Sequence, residues 1–240
     1  EGQKVGSIGQ TAKLLVDKYK NNKQIIITGS SSINLLNKTQ ETLTGRKKIF
    51  HLFPLSLEEI YPQKNILIIS KELENILITG LYPEIVNIKS FNKKQVELQE
   101  LSSSNLYKDI FEFQQVKNST IIFNLLKALA LQIGAEVSYN ELANIIGIDK
   151  KTIERYIDLL EKNFIIFRIS PYYTNKRKEI SKSKKIYFYD LGIRNAIINN
   201  FNPLDSRNDV GALWENFIIN ERLKYLTYHN IYSNNYFWRT

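Results

Sequence analysis

Between Gly134 and Ser170 the apolar positions change period twice. Ser138 and Glu141 have the spacing of a capping box, in which each side chain satisfies a backbone N–H at a helix start. Leu142, Ile145 and Ile146 follow at i, i+3, i+4, one stripe on a short helix. Gly147 can take the left-handed backbone that ends it, and Asp149 suits the N-cap of the next helix. Ile153, Tyr156, Ile157 and Leu160 then face inward, which leaves Lys150, Lys151, Arg155 and Lys162 outside. The β-rich run Phe164–Ser170 reads as a strand. With Thr120–Ile133 as a first helix, striped by Ile122, Leu125, Leu126, Leu129 and Ile133, the pattern is that of a winged helix-turn-helix.

That geometry sets the start of the second short helix where a major groove would lie. Lys150, Lys151, Thr152 and Arg155 are therefore the candidate DNA-binding residues. Glu154 and Asp158 interrupt the positive face, and a Lys/Arg face is also the ordinary dress of a solvated helix.

Elsewhere the pattern is mixed. Residues 1–21 read as a loop and then an amphipathic helix carrying Leu14, Leu15 and Tyr19. Gln24–Thr28 is a continuous β-branched run of the kind buried in a parallel sheet, and the serines after it, Ser30 to Ser32, fall where such sheets place functional loops. Ile33–Thr44 reads as helix and Ile49–Phe53 as strand, and Ser56 opens a helix through Leu57–Ile60. Further helices are expected over Lys71–Thr79, ending at Gly80, and over Phe91–Asn105. Thr174–Lys185 is densely basic, a hairpin tip or a loop. Ile186–Asp190 then reads as a buried strand with Asp190 opening the next helix. The last helix, from Gly211, should bury Leu213, Phe217, Ile218 and Leu223, with Glu215 and Glu221 as its acids, before a strand-like end.

Composition narrows the chemistry. At 240 residues, with 43% hydrophobic and 24% charged residues, the chain has room for one large domain or two to three small ones. Its formal charge of +9 favours a polyanionic partner, although lysine-rich composition produces the same number. There is no cysteine and only two histidines, His51 and His229, which excludes thiolate or histidine zinc sites and a Cys–His pair within this sequence. No apolar run approaches the ~20 residues needed to span a bilayer. A cytoplasmic protein without a membrane partner is the expectation.

Several segments in order carry a resemblance: EGQKV at the start, ITGSSSINLL, ETLTGRKKIFHLFPLSLEEI, GLYPEIV, YKDI, the winged pattern, KIYFYDLGIRNAI and GALWENFIINE. Together the set resembles the large prokaryotic family of AAA-type P-loop ATPases that carry a C-terminal domain of unknown function. The resemblance implies an α/β fold: a partial parallel-sheet P-loop ATPase core over 1–62, a helical lid or linker over 63–118, a winged helix-turn-helix over 119–172, and a partial α/β nuclease-like domain of the PD-(D/E)XK kind over 173–240. It places Glu1 as the catalytic acid after the Walker B strand, Ser30 at a sensor position near the γ-phosphate, and Arg46 as a phosphate-sensing or finger arginine. Glu215 matches the first helical acid of the nuclease-like domain.

The departures are equally plain. No G-x-x-x-x-G-K-[ST] occurs in the chain, so the phosphate cradle and its lysine are missing. ATP and Mg²⁺ are cofactors expected of the intact parent, and neither is expected to bind tightly here. One nuclease-type carboxylate cannot hold Mg²⁺. The reading is part of an ATP-hydrolysing AAA-type protein associated with DNA, inactive by itself, with homo-oligomerisation left open. The alternative is a non-enzymatic winged-helix DNA-binding or regulatory protein.

Overall fold

The structure, a computed structural model, describes residues 8–19, 22–29, 43, 45–63, 66–105, 119–174 and 183–238. The chain divides into two units, one of residues 1–52 with 162–164, the other of 53–161 with 165–240.

In the first unit, helix α1 (Ile8–Tyr19) buries Gly9 and Ala12. Leu14, Leu15 and Tyr19 are exposed, so the apolar stripe does not point inward as the sequence suggests. Gln24–Thr28 is not a strand, and Ile26 is 76% exposed. Ile49–Phe53 forms no strand either. The physical reason is the same for both: a parallel strand exists only through hydrogen bonds to neighbours, and no described residue of this unit forms one. The helix read over Ile33–Thr44 lies outside the described residues apart from Leu43.

The second unit begins with α2 (Leu57–Ile60), started by a full capping box between Ser56 and Glu59. Helix α3 (Ile66–Thr79) buries only its last turn, Ile76 to Thr79. It ends at Gly80 in the left-handed region, φ +71°, and α4 (Pro83–Val86) opens on proline. Helix α5 (Phe91–Glu100) widens into a π-type turn, Leu101–Asn105. Then come α6 (Ser119–Leu131), β1 (Glu136–Val137), α7 (Tyr139–Ile146) and α8 (Lys150–Lys162). Ser138 caps α7 through the Glu141 N–H, and Gly147, φ +77°, ends it. Strands β2 (Ile166–Pro171) and β3 (Lys184–Phe188) follow, then α9 (Leu191–Ile197), a single 3₁₀ turn at Leu204–Ser206, α10 (Val210–Tyr228) and β4 (Tyr236–Phe237).

The four strands form a mixed sheet in the order β1-β3-β2-β4. β3 runs antiparallel to β1 (Val137 opposite Lys184) and to β2 (Ile166 opposite Phe188, Ile169 opposite Lys185). β4 joins β2 in parallel, Ser170 opposite Tyr236. The border that the sequence suggests after residue 172 thus falls between two hydrogen-bonded strands. Ile122, Leu125, Leu126 and Leu129 of α6, Leu142 of α7, and Ile153, Ile157 and Leu160 of α8 are fully buried. On the expected stripes of α7 and α10, Ile145 and Ile218 are instead exposed, by 63% and 51%. Phe167, Ile169 and Tyr187 form a second cluster on the sheet, covered by Ile219 and Leu223 of α10 and by Phe237.

Candidate functional site

Helix α8 presents the candidate contact surface. Asp149 caps it twice: Oδ1 accepts from the Thr152 N–H at 3.0 Å and Oδ2 from the Thr152 hydroxyl at 2.6 Å. Those bonds, the hydroxyl's first, hold the Asp149 carboxyl below its usual range. Thr152 is therefore turned back into the cap and half-buried, not aimed outward. Lys150, Lys151 and Arg155 are exposed, with the Arg155 guanidinium 5.2 Å from the Tyr156 ring centroid.

The acids that interrupt this helix in sequence are engaged locally. Glu154 lies 3.8 Å from Lys150 one turn away. Asp158 and Glu161 both reach Arg168 of β2, Asp158 at 2.7 Å, while Glu161 takes the Arg168 backbone N–H at 3.0 Å and its Nε at 2.9 Å. Arg168 also donates to the Tyr139 hydroxyl at 3.4 Å. Burial works against the Arg168 charge, and the bonds to Glu161 and Tyr139 more than restore it. Arg168 thereby ties α7, α8 and β2 together and draws negative charge towards the sheet. The cationic edge of α8 is Lys150, Lys151 and Arg155.

The remaining sequence candidates stand elsewhere. Glu215 sits on α10 with Oε1 accepting from Lys185 Nζ at 2.9 Å and from the Tyr187 hydroxyl at 2.6 Å. Partial burial raises its affinity for a proton, but the Lys185 and Tyr187 bonds outweigh that and hold the carboxyl below its ordinary value. The described residues contain no group of three or more His, Cys, Asp or Glu able to hold a metal ion. Glu215 is thus seated in an ion pair with Lys185. Arg46, in the first unit, gives its Nη1 to Asp17 Oδ1 at 2.6 Å. Glu1 and Ser30 lie outside the described residues. Arg46 is paired with Asp17 and residues 24–28 are not in a sheet, so no step through ATP or Mg²⁺ follows from the described residues.

The apolar pattern gave no sign of the polar interior of α10. Asn216, Asn220 and Lys224 recur every fourth residue along α10, all buried. Asn216 brackets Phe188 at the end of β3, accepting its N–H at 2.8 Å and donating to its carbonyl at 2.9 Å; Asn220 donates to the same carbonyl. Lys224 Nζ donates to the Leu55 carbonyl and to Glu221 at 2.8 and 2.7 Å. Glu221 in turn accepts the Leu57 N–H, and Tyr228 the Phe53 N–H. The segment Phe53–Ile60 is strapped to the second half of α10. The available signal was a fourfold polar spacing inside an apolar helix. Among the described residues Asn220 Oδ1 finds no hydrogen-bond partner; Asn220, Asp190 and Lys224 line a cavity of about 20 Å³, far below the roughly 300 Å³ of a small-molecule site.

A second buried network joins α9 to α10. Arg194 donates to the Ala130 carbonyl at 2.8 Å and to Asp209 at 2.5 Å. Arg207 holds both Asp209 oxygens at 2.8 Å, the Asn200 carbonyl at 2.7 Å and Asn195 Oδ1 at 3.0 Å. Burial alone would raise the Asp209 carboxyl, but the two arginines bring it down to about 2.

Comparison with known proteins places this architecture. A model of a domain of unknown function, DUF8612, matches residues 70–204, more than half of the chain. The chain belongs to the DUF8612 family. An AAA domain model matches residues 1–61, so an AAA-type region of the P-loop ATPase class precedes the DUF8612 region. An uncharacterised protein of Mycobacterium tuberculosis is 23% identical over all of this chain and 52% of its own length. An uncharacterised protein of Methanocaldococcus jannaschii is 27% identical, over 81% of this chain and 46% of its own length. One from Haemophilus influenzae is 25% identical, over 74% and 46% respectively. The DUF8612 chain spans about half the length of the curated relatives it matches. No solved structure matches it. Among the described residues no helix is long and apolar enough to cross a membrane.

Proposed function

We propose that this chain is part of an ATP-driven, AAA-type protein whose second unit grips double-stranded DNA through a winged helix-turn-helix. The observation that carries the reading is the arrangement α6-β1-α7-α8-β2-β3 with its antiparallel order β1-β3-β2. In a winged helix that order makes β2 and β3 the wing, and α8 the helix that meets the major groove. Its exposed edge is Lys150, Lys151 and Arg155. These side chains suit phosphate and offer few base-edge contacts, so the interface positions more than it specifies. In the intact protein ATP and Mg²⁺ would be the cofactors, Glu1, Ser30 and Arg46 the nucleotide-side residues, and self-association a means of completing the site. The nuclease-like role of Glu215 has less behind it, since the residue is held by Lys185 and Tyr187.

A mobility shift of a duplex across a salt series tests the DNA reading, with Lys150, Lys151 and Arg155 changed to Glu in parallel. Binding that falls steeply with salt in the wild type and is lost in the triple variant supports it. Unchanged binding in the triple variant removes α8 as the contact. The ATPase reading is tested by Mg²⁺-dependent hydrolysis in a full-length relative that contains both regions; no turnover would leave the non-enzymatic DNA-binding alternative in its place.

A further inference from the structure

We infer that one internal water molecule is an integral part of the second unit, bound in the small cavity lined by Asn220, Asp190 and Lys224 and bridging the strap, the cap of α9 and the end of β3. The site is independent of the proposed nucleic-acid surface and shares none of its residues. Its first requirement is an unsatisfied buried group, and Asn220 supplies one. Asn220 Nδ2 donates to the Phe188 carbonyl at 2.6 Å. That bond fixes the amide's orientation, because the reverse setting would bring two acceptor oxygens face to face. Asn220 Oδ1 is buried and, among the described residues, meets no donor. Buried polar atoms are as a rule satisfied, either by protein or by ordered water.

The cavity supplies the room and the remaining partners. It measures about 20 Å³, and every residue lining it is buried except the half-buried Tyr189. A single water needs roughly 10–15 Å³ and two to four polar partners. Asp190 Oδ2 takes the Leu81 N–H and Oδ1 the Ile193 N–H, and each carboxylate oxygen can accept once more. Lys224 spends two of its three N–H groups on the Leu55 carbonyl and Glu221. Burial raises the Asp190 carboxyl and the Lys224 charge works against it, although no direct ion pair joins the two among the described residues. Two charges that act on each other without touching leave room between them for a small bridging molecule.

The three groups match the valence of water. Lys224 has one proton to give, while Asn220 Oδ1 and Asp190 each have room to accept one; water accepts and donates in that proportion. A cation of the same size would face the Lys224 ammonium, and an anion would face Asp190 and an amide oxygen. Bound there, the water joins Leu55 of the strap through Lys224, α9 through Asp190, and Phe188 of β3 through Asn220. Asn220 is the member that can be removed most cleanly. The Phe188 carbonyl keeps its bond from Asn216, and leucine has nearly the shape of asparagine without its acceptor.

A crystal structure of this chain that shows ordered solvent should place one water peak within about 3.2 Å of Asn220 Oδ1, an Asp190 oxygen and Lys224 Nζ. In solution, NMR cross-relaxation at the water frequency should reach the methyl groups of Leu81 and Leu191, which line the cavity, with the sign of a long-held molecule. Asn220→Leu should abolish both the peak and the cross-relaxation, while Lys224 and its exchangeable protons stay in place. Cross-relaxation that persists in the folded variant comes from the lysine and overturns the site. So does a wild-type crystal with no peak between the three groups, or with a protein donor on Asn220 Oδ1. The wild-type density decides the question alone if far-UV circular dichroism shows the variant unfolded, and the DNA reading stands or falls separately.

Discussion

Leu81 donates its backbone N–H to Asp190 Oδ2 at 2.7 Å, joining the turn after α3 to the cap of α9. Asp190 Oδ1 accepts the Ile193 N–H at 3.0 Å, so one carboxylate serves a turn and a helix start that lie far apart in sequence. Burial pushes the Asp190 carboxyl up, against the Leu81 and Ile193 bonds that favour its charge. This contact explains two glycines.

Gly80→Ala and Gly192→Ala should each destabilise the chain strongly. A Cβ on Gly80 would lie 2.2 Å from Asp190 Oδ1, at φ +71°, and one on Gly192 would lie 2.1 Å from the Thr79 carbonyl oxygen. Both collide with groups that are themselves fixed, so a loss of about 2–4 kcal/mol is expected. Urea unfolding checks it, and a change under about 0.5 kcal/mol, the size of an ordinary surface effect, would show that the turn yields.

Asp209→Asn should cost about 3–5 kcal/mol, because it leaves the buried Arg194 and Arg207 without their counter-charge. The pH dependence has a definite sign. The folded carboxyl titrates at about 2, below its ordinary value of 3.8, so its contribution is complete above the unfolded value and fades as pH falls through 3.8 towards 2. Once solvent screening is discounted, that contribution is on the order of 1–2 kcal/mol. Thermal melts of wild type and Asp209→Asn between pH 6 and pH 2 (roughly the window set by that shift) should draw closer towards the acid end without meeting.

Lys224→Ala should release the strap. The Leu55 carbonyl and Glu221 lose their shared donor, and an unsatisfied buried acceptor costs about 1–3 kcal/mol. Hydrogen exchange at Leu57, whose N–H bonds Glu221, should quicken more than exchange within β2 and β3. Uniform acceleration everywhere would mean global rather than local loss.

Neutralising the cations on α8 should change the salt slope as well as the affinity. If Lys150, Lys151 and Arg155 each neutralise one phosphate, replacing each by neutral Gln should lower the slope of log K against log salt by roughly 2.7 units. An unchanged slope would place the phosphate contacts elsewhere.

Glu215→Gln should be mild. Its pair with Lys185 is partly exposed, 41% on the glutamate side, and such pairs are worth about 1 kcal/mol or less. Titrating Mg²⁺ while following the Glu215 side-chain resonance should give no shift, and a saturable shift would reopen the metal role.

How far the sequence could be read depended on the range of the forces involved. The start and end of α7, the opening of α2 at Ser56 and the inward stripe of α8 rest on contacts within four residues, and all could be read directly. Ile145 and Ile218 show the limit: helical spacing gives a face, not what covers it. Gln24–Thr28 shows it more sharply, since a β-branched run prefers extended backbone but becomes a strand only with neighbours to bond. Glu154 and Asp158 looked like defects in a cationic face until Arg168, from a strand, drew Asp158 away.

By itself, then, the order of residues settled the local punctuation, the two short helices either side of Gly147 and the AAA-type kinship. The fold alone decided that β3 closes against β2 across the basic stretch, that Asp190 serves Leu81, and that Tyr172, Tyr236 and Trp238 meet on one edge. Those outcomes depend on pairings between distant segments, whose geometry is fixed by the packing of the whole unit and leaves no periodic trace along the chain.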